Sequence, residues 1–168
     1  MPLQKTYREE LLLLSRDCDM GGLWRPSAVL TAMQETAGTH SHNLGCGRET
    51  LVKDGIVWVL TRCEVHMDRE AHIGQRVSIE TFPMPLRRWF FPRYFTFRGE
   101  DGEPLGAAGT LWVLFDLEKR CMVAPGAVAE TIPDNSDLVP PMGVPGPVAR
   151  LTGTEMDSAR MPVYSELD

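Results

Sequence analysis

The side chains of this sequence able to do chemistry fall into a few groups, and their spacing limits what each can do. Asp17 and Asp19 lie in the turn-prone run Asp17-Cys18-Asp19-Met20-Gly21-Gly22, just ahead of a predicted helix. Carboxylates in such a turn usually accept hydrogen bonds from their own backbone or cap the helix that follows, and that is their default role. Glu35, His40 and His42 lie within the helix itself. The two histidines are separated by about 200° around a regular helix, so they cannot close on one metal ion, and neither a metal nor a cofactor is expected. Glu35 flanks the apolar stripe and reads as solvent-facing. Arg87, Arg88 and Arg93 cluster beside Trp89, Phe90 and Phe91. Guanidinium forks suit carboxylate or phosphate, although a charged strand end that blunts a sheet edge accounts for them as well. Cys18, Cys46, Cys63 and Cys121 form no CxxC pair, and Cys63, in an alternating apolar run, is expected as a buried free thiol.

The bulk composition narrows the partners. The chain has 168 residues with 17 basic against 23 acidic side chains, a net charge of −6 that disfavours general binding to nucleic acid. With 43% apolar residues it can bury one sizeable core. Its longest apolar runs, such as Leu11 to Leu14 and Ile56 to Leu60, fall far short of the roughly 20 residues of a membrane span. The opening MPLQKTYREE carries mixed charges where a signal peptide needs an apolar stretch, so a cytoplasmic address is the default expectation.

These groups must be positioned by elements that the pattern makes legible. Tyr7 to Ser15, with its four consecutive leucines, reads as a first strand. Pro26 suits the first turn of a helix that Ser27 can cap, and Leu30, Met33, Ala37, Ser41 and Leu44 recur at helical spacing until Gly45 and Gly47 stop it. At Ala37 and Gly38 the stripe is thin enough for a sheet to approach closely. Arg48 to Asp54 reads as a short helix. From Ile56 to Arg69 the odd positions Val57, Val59, Cys63, Val65 and Met67 read as a core face, while Ile56, Trp58 and Leu60 make the other face apolar only at its start. Something beyond the first core must therefore cover Trp58: a second domain, a second subunit or a ligand. Strands follow around Val77 to Thr81, around Phe91 to Phe97 with Pro92 favouring an edge or a bulge, and from Leu105 to Asp116. One long helix after the first strand, then consecutive antiparallel strands, describes an α+β hotdog fold, a sheet curled around a helix, over residues 1–124. Seven of the 13 prolines lie between 125 and 162, which reads as an extended linker. Residues 163–168 look like the start of a second copy of the fold, ending in Glu166-x-Asp168 as the first strand exits through Asp17-x-Asp19.

The segments 25–51, 55–83, 94–120 and 163–168, and above all the joint spacing of WVLTR, ETFP and LWVLFDLEKR, resemble the N-terminal domain of the acyl-ACP thioesterases. That resemblance implies two hotdog domains, hydrolysis of a fatty acyl thioester in fatty-acid biosynthesis, and an acyl carrier protein or coenzyme A thioester as partner. In the family the reaction is assigned to the second hotdog, where an Asp-x-Asn-x-His motif begins. Asp168 matches that Asp without the Asn and His, so this chain reads as the substrate-holding half, catalytically incomplete by itself. The Asp17 to Leu23 loop is similar to the Asp-bearing loop of single-hotdog acyl-CoA thioesterases, which offers Asp19 as nucleophile or base in a homodimer. A noncatalytic acyl-binding or dimerisation module remains a further reading. An acyl chain needs an apolar slot between helix and sheet, and Met33, Ala37, Trp58, Leu60 and Trp112 are its candidate walls. Arg87, Arg88 and Arg93 become the candidate docking patch for an acidic carrier protein. A homodimer, or a pseudo-dimer with a second hotdog domain, would cover the seam at Trp58.

Overall fold

Alternating side chains pair the strands into one antiparallel sheet that sets the geometry of everything else. In the computed structural model, which describes residues 3–148, the strands are β1 (Tyr7–Leu12), β2 (Ile56–Met67), β3 (Arg76–Pro83), β4 (Phe91–Gly99), β5 (Pro104–Asp116) and β6 (Cys121–Val123). Their spatial order is β1-β3-β4-β5-β2, and β6 pairs with the end of β5. The long β2 and β5 run side by side from Ile56↔Asp116 to Met67↔Gly106, which leaves β1 and β2 as the edges. Helix α1 (Pro26–Asn43) lies across the sheet and is followed by the short α2 (Arg48–Leu51). This is the hotdog arrangement.

Helix α1 starts with Pro26 at its first position, where a missing N–H costs nothing, and ends before Gly45, whose φ of 82° no β-carbon favours. Arg25, not Ser27, occupies the cap position. The buried stripe is Val29, Met33, Thr36, Ala37 and His40, turned from the predicted one, and Leu30 is 38% exposed. Thr36 and His40 are fully buried because each has partners: the Thr36 hydroxyl meets the Ala32 carbonyl at 2.8 Å, and His40 is held from both ring nitrogens. Under this stripe Val77, Ile79, Phe95, Phe97 and Ala108 form the main core with Leu13 and Trp24. A second cluster gathers Leu51, Phe91 and Leu114 with Trp58, Trp112 and Ile132.

Two expectations change for physical reasons. In β2 the register shifts between Leu60 and Arg62, so Thr61 is an extra residue. A bulge reverses the alternation. Trp58 and Leu60 therefore share the inner face with Cys63 and Val65, while Val59 is 37% exposed on the outer one. Cys63 is exposed rather than buried, because the strand carrying it is a sheet edge. The strand β4 is interior, between β3 and β5. Pro92 is tolerated as its second residue, just past the end of the β3 pairing at Pro83↔Arg93.

After β6 the chain makes a 3-10 turn over Gly126–Thr131 and then crosses the outer face of the sheet. Asn135 is fully buried and donates to the carbonyls of Lys5, at 2.9 Å, and Pro83, at 2.7 Å. Pro145 sits so close to Gly109 that a β-carbon there would meet it at 3.3 Å. Arg62 donates to the Pro145 carbonyl at 3.4 Å. Residues 163–168 of the expected second domain lie outside the described residues.

Candidate functional site

Between the two apolar clusters the helix and the sheet do not close. Opposite the bulky Trp58, Phe91 and Trp112, the facing positions of α1 are Gln34, Ala37, Gly38 and Ser41, and the mismatch leaves a cavity of about 230 Å³. The small residues do not draw the sheet closer. A β-carbon on Gly38 would meet nothing within 4 Å. Trp58 packs edge-on to Phe91, with ring centroids 4.8 Å apart and planes at 89°. Its indole N–H donates to the Cys46 carbonyl at 2.9 Å, and that of Trp112 to the Thr110 hydroxyl at 2.9 Å. With both polar edges satisfied, the rings offer the cavity apolar surface. A second, separate space of about 10 Å³, no larger than a single water, is lined by Leu30, Met33, Leu60, Cys63 and Phe95 and shares Gln34 and Trp112 with it.

Two cations stand in this apolar wall, the exposed Arg48 and the buried Arg93. Arg93, on the inner face of β4, is 6% exposed and lines the cavity. Its Nη1 donates to His40 Nδ1 at 3.0 Å and to Thr81 Oγ1 at 3.2 Å, and its Nη2 reaches Ser41 Oγ at 3.4 Å. A guanidinium only donates, so His40 Nδ1 must be the acceptor and the imidazole proton sits on Nε2, donated to the Gln4 carbonyl at 2.9 Å. Burial, and then the Arg93 charge, lower the His40 pKa to about 4, so the ring is neutral near pH 7. Burial also lowers Arg93 to about 10, which leaves it charged.

The predicted residues divide accordingly. Ala37, Trp58 and Trp112 line the cavity, whereas Met33 and Leu60 line only the separate space of about 10 Å³. Arg93 is a correction: it is inside, and it cannot join Arg87 and Arg88 on a surface. A tight reversal with two backbone bonds between Arg87 and Phe90 sends the tip outward, and the strand that follows carries Arg93 under α1. Arg87 and Arg88 are exposed at that tip beside Trp89, itself 43% exposed. Asp19 lines neither space; its Oδ1 accepts from the backbone N–H groups of Gly21, at 2.8 Å, and Leu23, at 2.9 Å. Glu35 faces a different groove on the β1 flank of α1. Asp168 lies outside the described residues. The sequence reading missed Gln34, Gly38, Ser41 and Ile132 as lining residues, although Gln34, Gly38 and Ser41 recur at i, i+4 and i+7, a signal of a shared helix flank.

A hotdog fold with an unfilled apolar slot between helix and sheet defines a class of protein, and comparison with known proteins narrows it. The profile of the acyl-ACP thioesterase N-terminal domain matches residues 4–131, and the chain belongs to that family. Among solved structures it is similar to an acyl-ACP thioesterase from Bacteroides thetaiotaomicron, at 22% identity and a TM-score of 0.76 over 88% of this chain and 60% of that one. It is also similar to the 12:0-ACP thioesterase of Umbellularia californica, at 20% identity and a TM-score of 0.73 over 97% of this chain and 68% of that one. A 1,4-dihydroxy-2-naphthoyl-CoA thioesterase from Synechocystis shares the fold at 17% identity, with a TM-score of 0.68 over 75% of this chain and 93% of that one. The chain thus spans about three fifths of the length of the Bacteroides enzyme. No curated protein sequence matches it significantly. Among the described residues no helix is long and apolar enough to cross a membrane.

Proposed function

We propose that this chain is the acyl-holding hotdog half of an acyl-ACP thioesterase, with the fatty tail of the substrate seated under Ala37 and Gly38 against Trp58, Phe91 and Trp112. The observation that carries this reading is the cavity itself: bulky apolar walls with their polar edges satisfied, facing small residues on α1. Hydrolysis belongs to a second hotdog domain, whose motif would begin at Asp168. The β2 edge supports such a partner, since its 12 residues pair with β5 on one side only among the described residues, and Val59 and Met67 stand exposed along it. A long apolar edge of this kind calls for cover by another chain or domain. The hydrolysis of carrier-bound chains, in the cytoplasm, is part of the same reading.

Titration of the chain with fatty acyl ligands, beside a hydrolysis assay on lauroyl-ACP, tests it. The expected result is saturable binding with no turnover by the chain alone, and turnover once a second hotdog domain carrying the Asn and His is joined to it. Turnover by the chain alone that Asp19→Asn abolishes would transfer the reaction to Asp19 and overturn this assignment. Binding with no turnover even in the joined protein would leave only an acyl-binding module.

Arg87 and Arg88 supply the carrier-docking surface in this reading. Both are exposed, and neither forms a salt bridge among the described residues of an otherwise acidic chain. Reversing both charges to Glu is expected to weaken carrier-protein binding about tenfold at low salt, with the difference shrinking as salt screens it. Unchanged affinity at low salt would remove them from the interface.

A further inference from the structure

A buried cation is expensive unless something of opposite charge meets it. Arg93 has no carboxylate within 4.0 Å among the described residues, and its partners His40, Thr81 and Ser41 are all neutral. Cys46, also close by, is kept as a neutral thiol by burial, which raises its pKa. A guanidinium has five N–H donors, and the three contacts named engage only part of them. Among the described residues no further acceptor meets its Nε or the second N–H of Nη2, and Arg93 lines the cavity. The same cavity has a second arginine, the exposed Arg48, in its lining, and no acidic residue among the described residues. In a chain of net charge −6 that local sign is the reverse of the whole.

We propose that Arg93 is an anion-recognition residue, and that the cavity takes a carboxylate carried on an apolar chain, with the guanidinium as its counter-ion and Ser41 as a second hydrogen-bond partner. The inference rests on the reading of the cavity as an acyl-chain site and specifies its chemistry. The carboxylate lies against Arg93, and the chain lies along Trp58 and Trp112. Such a carboxylate has two chemical sources: the free fatty acid that thioester hydrolysis releases, or an acyl chain bearing a carboxylate at its far end. Arg93 therefore selects for ionised chains over neutral ones of equal length.

Calorimetric titration of the full 168-residue chain at pH 8 with decanoate, 1-decanol and monomethyl sebacate tests this. Decanoate is expected to bind about tenfold more tightly than decanol, as a charge-assisted contact implies. Arg93→Met, which keeps the bulk and removes the charge, should level the two, and Arg93→Lys should retain part of the difference. Decanoate binding more tightly than monomethyl sebacate assigns the site to the free acid, and the reverse order assigns it to a chain with a distal carboxylate; either is a carboxylate site. Equal affinity for decanoate and decanol in the parent chain overturns the proposal and leaves the acyl site standing, a comparison that needs no variant to fold. A preference that survives in a folded Arg93→Met variant overturns it too. Binding of none of the three molecules overturns the acyl reading beneath it.

Discussion

A Gly38→Leu variant should bind fatty acyl ligands about 50-fold more weakly than the parent while melting a few degrees higher. The two effects have opposite signs because they arise in different places. A glycine inside a helix is less favourable than an ordinary residue by about 1 kcal/mol, since the unfolded chain gives up more freedom there. Gly38 lies within α1, and a β-carbon on it would touch nothing within 4 Å, so a side chain enters without strain. For a chain of this size a gain of that order raises Tm by about 2–4 °C. The added leucine, however, occupies the space opposite Trp58 and Trp112. Displacing three ligand methylenes at about 0.8 kcal/mol each gives the 50-fold loss. Thermal melting and ligand titration on the same sample check both halves. Unchanged affinity in the stabilised variant would show that acyl chains bind elsewhere.

The second large effect is on acid stability. In the unfolded chain His40 titrates near its ordinary value of 6.5, and in the fold its pKa is lowered to about 4 by burial and by Arg93. Between those values the unfolded state holds the extra proton, so stability falls as pH falls from 6.5 to 4, by about 3 kcal/mol in all. Asp101, Asp116, Asp134 and Asp137 act in the same sense but at lower pH. Backbone and side-chain hydrogen bonds hold their carboxyls below the ordinary 3.8, so their contribution is present above that value and is lost only at lower pH. The two windows do not overlap. His40→Gln offers an oxygen to Arg93 and an N–H to the Gln4 carbonyl without titrating, and should flatten stability between pH 6.5 and 4.5 in urea unfolding. A variant as acid-sensitive as the parent would show that another group sets this slope.

The order of elements was legible because strands and helix differ in period, and each needs only local sequence to declare itself. The long helix after the first strand and the run from Ile56 both follow from patterns a few residues long. Trp58 could be singled out the same way, because apolar residues on both faces of a half-strand demand cover on both. The family resemblance added the second domain and the reaction, which the residues alone leave open.

Other features depend on contacts between residues distant along the chain, and only the tertiary structure decided them. Thr61 looks like any other strand residue, yet as the unmatched residue against β5 it reverses which side of β2 faces inward. Thr36, His40 and Arg93 have polar side chains, which pattern reading sends to the surface; each is buried because a partner from another element satisfies it. Arg93 stands near Arg87 and Arg88 in sequence, but the reversal at Arg87 to Phe90 separates them into surface and interior. The cavity is the clearest case. Ala37, Gly38 and Ser41 announce a thin helix face, but whether a thin face closes on a sheet or leaves a slot depends on the volumes opposite, here two tryptophans and a phenylalanine from three strands. Periodicity is a property of neighbours along the chain, whereas empty space is a property of what fails to fill it from elsewhere.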